Sequence, residues 1–520
     1  MMEYQDENNY FLNSVLNIYN FNMNDFNFID SEFEELLINN YTLSHYLNYS
    51  DYSITEIKKN NIKKLNLVSI LNISKNKINK IEDFGFQNLS LLTCLNLSNN
   101  NLLIINNNTF SGLINLELLN LSNNLIEEIQ NESFKDLPKL KELYLNNNKL
   151  KIINTFFINL EILNLSNNFI EKIESFKNLT KELYLNNNKL TIINNNTFSG
   201  LINLEILNLS NNLIENIQDE SFKDLLILKE LNLNNNKLTL LNNQLLKNCL
   251  DLTFFTCSKN QLNILPQIKS NKLVKLIANN NQLLTTENLN KFINLEELNM
   301  NNNLLKIINI NNCTNLQIID FGFNKLVKIP TLKLVNLKKL KCNNNLLSTF
   351  PNLKHLINLE YLNFSYNKIE TISKQTFNFS NKITEINLEH NLIEKINVKY
   401  LKNLQKCFNI NLGYNYINDL DILYLFNNLL NLEVISLIEN PYGYQLIKLE
   451  SIKCTCVDKV CICHDCCVCL NKVEECFQNN TCKHFVCIYC YFNLNSCPIC
   501  RIPWINETLI FTRYPTYLYI

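Results

Sequence analysis

The sequence predicts an α/β solenoid of about seventeen short repeats, followed by a small cysteine-rich module at the C-terminal end. Three observations carry this reading. From Val68 onward apolar residues recur with a period of 20 to 25, an asparagine returns at one fixed place in each period, and thirteen of the 19 cysteines crowd between Cys454 and Cys500. Length alone, 520 residues, would suggest three or four domains, but a repeat array sets that count aside.

Taken in order, residues 1–60 are acidic and rich in Asn, Tyr and Phe, too aromatic for a typical disordered tail. Ser31 with Glu34 forms a capping box before Phe33, Leu36, Leu37 and Ile38, which predicts a short helix over 32–39 within an N-terminal cap. Residues 61–453 form the array and its closing segment. Its register is marked by Asn76, Asn100, Asn124, Asn148, Asn168, Asn188, Asn212, Asn236, Asn260, Asn281, Asn303, Asn324, Asn345, Asn367, Asn391, Asn415 and Asn440. An inward amide side chain at each bend can pair backbone groups that the tight turn leaves without partners. One repeat cannot bury its apolar face, so neighbours share stability.

The pattern Leu-x-x-Leu-x-Leu-x-x-Asn-x-Leu resembles the leucine-rich repeat. That resemblance implies a horseshoe of short parallel strands in which Leu116, Leu119 and Leu121 and their equivalents stack inward. Repeats of 24 residues carry a Phe on the return, as at Phe110, while shorter ones near Asn168–Asn188 and Asn281–Asn367 return by a tighter path. TFSGLINLELLNLSNN from Thr109 recurs almost verbatim from Thr197. Many Asn-x-Ser/Thr triplets occur, and in so Asn-rich a chain they read as chance.

Outward strand positions would line the concave face. One column there reads Leu118, Glu142, Ile162, Glu182, Ile206 and Glu230; its neighbour is mainly Asn, with Tyr144 and Tyr184. This is either a partner surface for a protein substrate or an exposed face that reflects composition. Asn440-Pro441 closes the last repeat, since Pro cannot extend a strand ladder.

Residues 454–465 form a Cys-rich linker. Cys454, Cys456, Cys461 and Cys463 are a third zinc site, free thiols, or a sign that the next module begins at Cys463. From 466 to 501 eight residues fall at zinc-ligand spacing: Cys466, Cys469, Cys482, His484, Cys487, Cys490, Cys497 and Cys500. A two-residue gap lets one turn offer two thiolates to an ion that takes four ligands tetrahedrally, so four pairs hold two zinc ions. Disulfides are the alternative, disfavoured in a reducing compartment.

This string resembles the RING finger. The resemblance implies that Cys466, Cys469, Cys487 and Cys490 share one ion, and that Cys482, His484, Cys497 and Cys500 share the other. It also implies a groove for a ubiquitin-conjugating enzyme at Val468, Leu494, Pro498 and Ile499, although Leu494 stands where the family often has Trp. Arg501 stands where active members place the cation that bridges the conjugating enzyme and its ubiquitin. Arg501 and Arg513 are the only two arginines among 47 basic residues, which makes that position informative; the alternative is a surface cation on the last zinc loop. The tail, 502–520, holds Trp504, Leu509 and Phe511 and either pairs two copies into a homodimer or packs on its own module.

A net charge of −1 and the lack of a basic stripe point away from nucleic acid. No apolar run approaches the roughly 18 residues of a membrane span, and the polar N-terminus lacks signal-peptide order, so the expected location is cytoplasmic. The scarcity of Gly and Pro beside abundant Asn, Ile and Lys resembles an AT-rich genome, such as that of a protist or a large DNA virus; for a virus the place would be the host cytoplasm. Together the two signatures resemble leucine-rich-repeat/RING ubiquitin ligases. In that reading the repeats recruit a substrate, the RING holds a charged conjugating enzyme, and catalysis is by proximity. One rival is a binding adaptor with a structural zinc module; the other is an innate-immune-type receptor, suggested by the long Phe-bearing repeats and opposed by the lack of a signal peptide and membrane span.

Overall fold

The computed structural model describes residues 46–441 except 60–64, 66, 154–159, 174–175, 177–178, 180, 374–375, 378–380, 419–424, 426–428 and 430, together with the backbone of four later strands. Among these residues the fold is a solenoid of about fifteen turns built on short parallel strands. The chain divides into two units at Leu143/Tyr144, and each is described by itself.

In the first unit the strands Tyr46–Asn48, Ile70–Asn72, Cys94–Asn96 and Leu118–Asn120 pair in parallel, each in register with the next. The array thus already includes Tyr46–Asn48, inside the stretch that the sequence assigns to a cap; the helix expected over 32–39 lies outside the described residues. On the return side Glu56–Ile57 pairs with Lys80–Ile81, and Ile104–Ile105 with Glu128–Ile129, also in parallel. Behind them Phe86, Phe110 and Phe134 form a buried column with ring centroids 6.2 and 6.0 Å apart. This is the Phe that the longer repeats carry on the return.

The second unit continues the same construction. Strands from Ile162–Asn164 through Glu182–Tyr184, Ile206–Asn208 and Glu230–Asn232 run in parallel to Val434–Ser436. Their middle residues, such as Leu183, Leu207, Phe255, Leu276 and Leu340, are fully buried. Leu446–Lys448 then pairs antiparallel with Val434–Ser436 and ends the parallel ladder. Such an end protects a strand edge that would otherwise recruit another chain.

The return path departs from the α/β expectation. Among the described residues it holds nearly no α-helix, only two 3-10 segments, Glu287–Leu289 and Val398–Leu401, and chains of tight turns. The reason lies in the spacing. Phe110, Leu113 and Leu116 are all buried at intervals of three, and their amides bond three residues back: Leu113 to the Phe110 carbonyl and Leu116 to the Leu113 carbonyl. A period of three suits 3-10 geometry, whereas an α-helix would rotate one of them outward.

The asparagine ladder behaves as the sequence implies. Asn212 Nδ2 donates to the carbonyls of Leu185 at 2.9 Å and Leu209 at 3.1 Å, and its Oδ1 accepts from the Leu190 amide at 3.1 Å. One side chain therefore ties its own bend to the turn before it. The residue preceding each ladder asparagine sits in the left-handed region, with φ between 50° and 58° from Asn99 through Glu439. Asn fills that place at Asn99, Asn123, Asn147, Asn187, Asn211 and others, because its short polar side chain tolerates the conformation best after Gly.

Candidate functional site

The outward strand surface is the site that the described residues offer. In the first unit the column includes Cys94 and Leu118, paired in register, with Glu142 at its end. Burial, with the Glu142 carboxylate nearby, pushes the Cys94 thiol up to about 12, so it stays protonated and inert. In the second unit Ile162, Glu182, Ile206 and Glu230 stand side by side in successive strands, so the predicted alternation of apolar and acidic residues is one continuous row. Tyr184 donates its hydroxyl to Glu182 Oε2 at 2.8 Å. Tyr144 starts this unit at the head of the neighbouring column. Farther along, Lys275 pairs with Glu297 at 2.8 Å, and Lys341 lies over the Tyr361 ring at 5.9 Å. Burial raises the Tyr361 phenol, so the site presents it as a neutral donor.

The neighbouring asparagine column does something that the sequence reading missed. Asn120 Oδ1 accepts the Ser122 amide at 2.9 Å, Asn208 Oδ1 accepts the Ser210 amide at 3.0 Å, and Asn72, Asn96, Asn164, Asn299, Asn363 and Asn387 repeat the contact. These are turns in which an Asn carbonyl bonds the backbone two residues on. Most of that column therefore holds the bend after each strand, and its free chemistry is reduced to the amide groups. The Asn-x-Ser triplets at Asn72, Asn96, Asn120, Asn164, Asn208 and Asn363, read as chance with the rest, form this turn. Positions where Asn is replaced, at Tyr184, Ile277 and Lys341, are where the column can vary without regard to the bend.

A second missed feature lies at the left-handed position. Phe323, Tyr366, His390 and Tyr414 occupy it with φ of 53°, 55°, 51° and 53°. A bulky residue there costs about 1–3 kcal/mol relative to a relaxed backbone. The signal in the sequence is an aromatic immediately before the ladder asparagine.

The predicted zinc ligands Cys466, Cys469, Cys482, His484, Cys490, Cys497 and Cys500, the groove residues Val468, Leu494, Pro498 and Ile499, the linker cysteines Cys454, Cys456, Cys461 and Cys463, and Arg501 all lie outside the described residues. Only the backbone of Cys487 is described, at the end of Phe485–Cys487. That strand pairs antiparallel with Glu475–Asn479, with 480–484 as the connection. Leu509–Arg513 pairs antiparallel with the other edge of Glu475–Asn479, so this part of the tail adds to the sheet of its own module. Among the described residues no cluster of His, Cys, Asp or Glu is arranged to hold a metal ion, and no helix is long and apolar enough to cross a membrane.

The chain matches the leucine-rich-repeat family over residues 66–126, 114–158, 158–214 and 202–262. A search among curated proteins finds no match. Among solved structures it is similar to a leucine-rich-repeat protein of Leptospira interrogans, at 24% identity and a TM-score of 0.53, over 76% of this chain and 90% of that one. It is also similar to a chain of the Drosophila Toll–Spatzle complex, at 19% identity and a TM-score of 0.55, covering 72% of this chain and 51% of the other. A PEPR1–AtPEP1 complex gives 22% identity and a TM-score of 0.52, over 76% and 61%. Identity this low speaks for the fold alone. The repeating register, the buried asparagine ladder and the match over residues 66–262 agree on a leucine-rich-repeat fold.

Proposed function

We propose that this chain is a RING-type ubiquitin-protein ligase whose repeats recruit a protein substrate and whose C-terminal module binds two zinc ions and a charged ubiquitin-conjugating enzyme. The observation that carries the reading is the run of eight ligands from Cys466 to Cys500 with Arg501 directly after it, in a chain that otherwise uses Lys almost everywhere. In this reading Val468, Leu494, Pro498 and Ile499 form the groove for the conjugating enzyme, and Arg501 bridges that enzyme and its ubiquitin. The chain supplies no nucleophile; it holds a flexible thioester near a substrate lysine, and the gain is one of effective concentration. The hairpin between Glu475–Asn479 and Phe485–Cys487 supports a compact module here, because its connection carries Cys482 and His484.

Solenoid surfaces of this length are commonly used for binding, and the row from Ile162 to Glu230 supplies apolar and acidic groups for a protein partner. The second reading, a binding adaptor with a structural zinc module, is favoured by the extent of the repeat surface relative to the module. The two separate in one assay: ubiquitin-chain formation with activating enzyme, ubiquitin and a panel of conjugating enzymes, alongside Arg501→Ala and Cys482→Ala. Chains made by the wild type and by neither variant support the ligase. No chains with any conjugating enzyme, from protein carrying two zinc ions, leave the adaptor.

A further inference from the structure

Near the end of the second unit three consecutive turns place rings at the left-handed position where Asn stands in most others. Tyr366 stacks on His390 at 4.2 Å with 20° between planes, and His390 stacks on Tyr414 at 4.1 Å with 7°. Tyr366 and Tyr414 are 47% and 42% exposed, and Tyr416 beside them is 56% exposed. In the next turn the same position holds an exposed carboxylate, Glu439, at φ 55°. A second carboxylate, Glu389, has Oε1 4.0 Å from His390 Nε2.

Mutual stacking offsets part of the strain of holding bulky residues at positive φ, but it engages only the facing sides of the rings. The Tyr414 amide donates to the Ile438 carbonyl at 2.6 Å, so the next position along the column after Tyr414 is Glu439, where a carboxylate replaces the next ring. We propose that Tyr366, His390, Tyr414 and Glu439 form a recognition strip for an arginine-bearing extended segment of a partner protein, with the guanidinium lying on the free face of Tyr414 and paired to Glu439. A guanidinium is planar, stacks on aromatic faces and forms two parallel hydrogen bonds to a carboxylate; a lysine ammonium offers only a point charge. A nucleic-acid base would also stack, but its phosphates would meet Glu389 and Glu439. The inference rests on the reading that the repeats hold the substrate and names the chemistry of that contact; it does not depend on ligase activity.

The test uses the full chain and a fluorescently labelled (Gly-Arg)4 peptide, followed by anisotropy, against (Gly-Lys)4 and a single-stranded oligonucleotide. Tyr414→Asn installs the residue that the other turns carry, so the fold is kept, which circular dichroism verifies; Glu439→Gln removes only the charge. The expected result is binding of the Arg peptide about fivefold tighter than the Lys peptide, and a loss of about fivefold or more in each variant. Equal affinity for the two peptides, wild-type affinity in Tyr414→Asn, no binding, or preference for the oligonucleotide would each overturn the strip. Ubiquitin-chain formation measured on the same preparations keeps the two proposals apart. Chains without peptide binding reject the strip alone, and peptide binding without chains rejects the ligase alone.

Discussion

Replacing one ladder asparagine should cost far more than replacing the asparagine four residues before it, although both are the same residue in the same repeat. Asn212→Ala removes two bonds to the carbonyls of Leu185 and Leu209 and leaves the Leu190 amide, inside the solenoid, with its acceptor gone. A buried polar group stripped of its partner costs about 1–3 kcal/mol, and the two carbonyls add to that, so the total should reach about 3–5 kcal/mol. Asn208→Ala removes contacts to the Ser210 amide and hydroxyl at 3.0 and 2.8 Å, but at a half-buried place that water can reach. Its cost should be about 1 kcal/mol. Urea unfolding of the full chain by circular dichroism reads the difference, and hydrogen exchange of the amides around 185–214 localises it. Because each repeat contacts only its neighbours, Asn212→Ala should open the two turns it joins before the rest. A difference under about 1 kcal/mol between the variants, at equal denaturant slope, would refute the view that the inner ladder rather than the outer turn holds the repeats together.

Gly112, at φ 96°, leaves a substituted Cβ 2.5 Å from the Gln87 Cα, so Gly112→Ala should destabilise by about 2–4 kcal/mol in thermal melting, combining strain with a backbone clash. Burial pushes the thiols of Cys249, Cys257 and Cys407 up to about 12, so none should react with iodoacetamide in the folded protein at pH 8. Their folded values lie above the unfolded thiol value of about 8.5, so their contribution to stability is full below that pH and falls as pH rises toward 12; a melting series from pH 8 to 11 should decline, and Cys257→Ala should flatten it. Tyr184→Phe removes one half-exposed hydrogen bond to Glu182 and should cost under about 1 kcal/mol of stability, while weakening any partner that uses the row from Ile162 to Glu230.

The repeat register was legible because it follows from a physical requirement: the ladder asparagine must be an amide, since it donates and accepts at once. Where that requirement is met from a neighbouring turn, the sequence goes silent. Tyr52 stands at the place of the first ladder asparagine, and its amide, with that of Ile54, is taken up by Asn76 Oδ1 at 2.9 and 3.0 Å. Tyr49, whose ring meets Tyr52 at 5.8 Å, replaces the usual leucine, so the first turn keeps Leu47 and Ile54 but lacks the asparagine that marks the register, and it reads as a cap. The return path was misread for a related reason. Spacing of three and spacing of 3.6 differ little over a single turn, and only burial of Phe110, Leu113 and Leu116 together decides between them.

The outward strand face shows the limit of reading exposure from alternation. Alternation places Asn120 and Asn208 on the outward side of their strands, which is correct, but it says nothing of what the side chain does next. An Asn followed two residues later by Ser or Asn bonds back to the chain, and a face that seems rich in hydrogen-bonding groups is partly spent on its own turns. Specificity then falls to positions exempt from that duty: the acidic and apolar row, the replacements at Tyr184, Ile277 and Lys341, and the aromatic strip from Tyr366 to Tyr414. A partner that reads this surface should therefore be sensitive to changes at those few places and indifferent to Asn→Ser changes in the rest of the column, beyond their effect on stability.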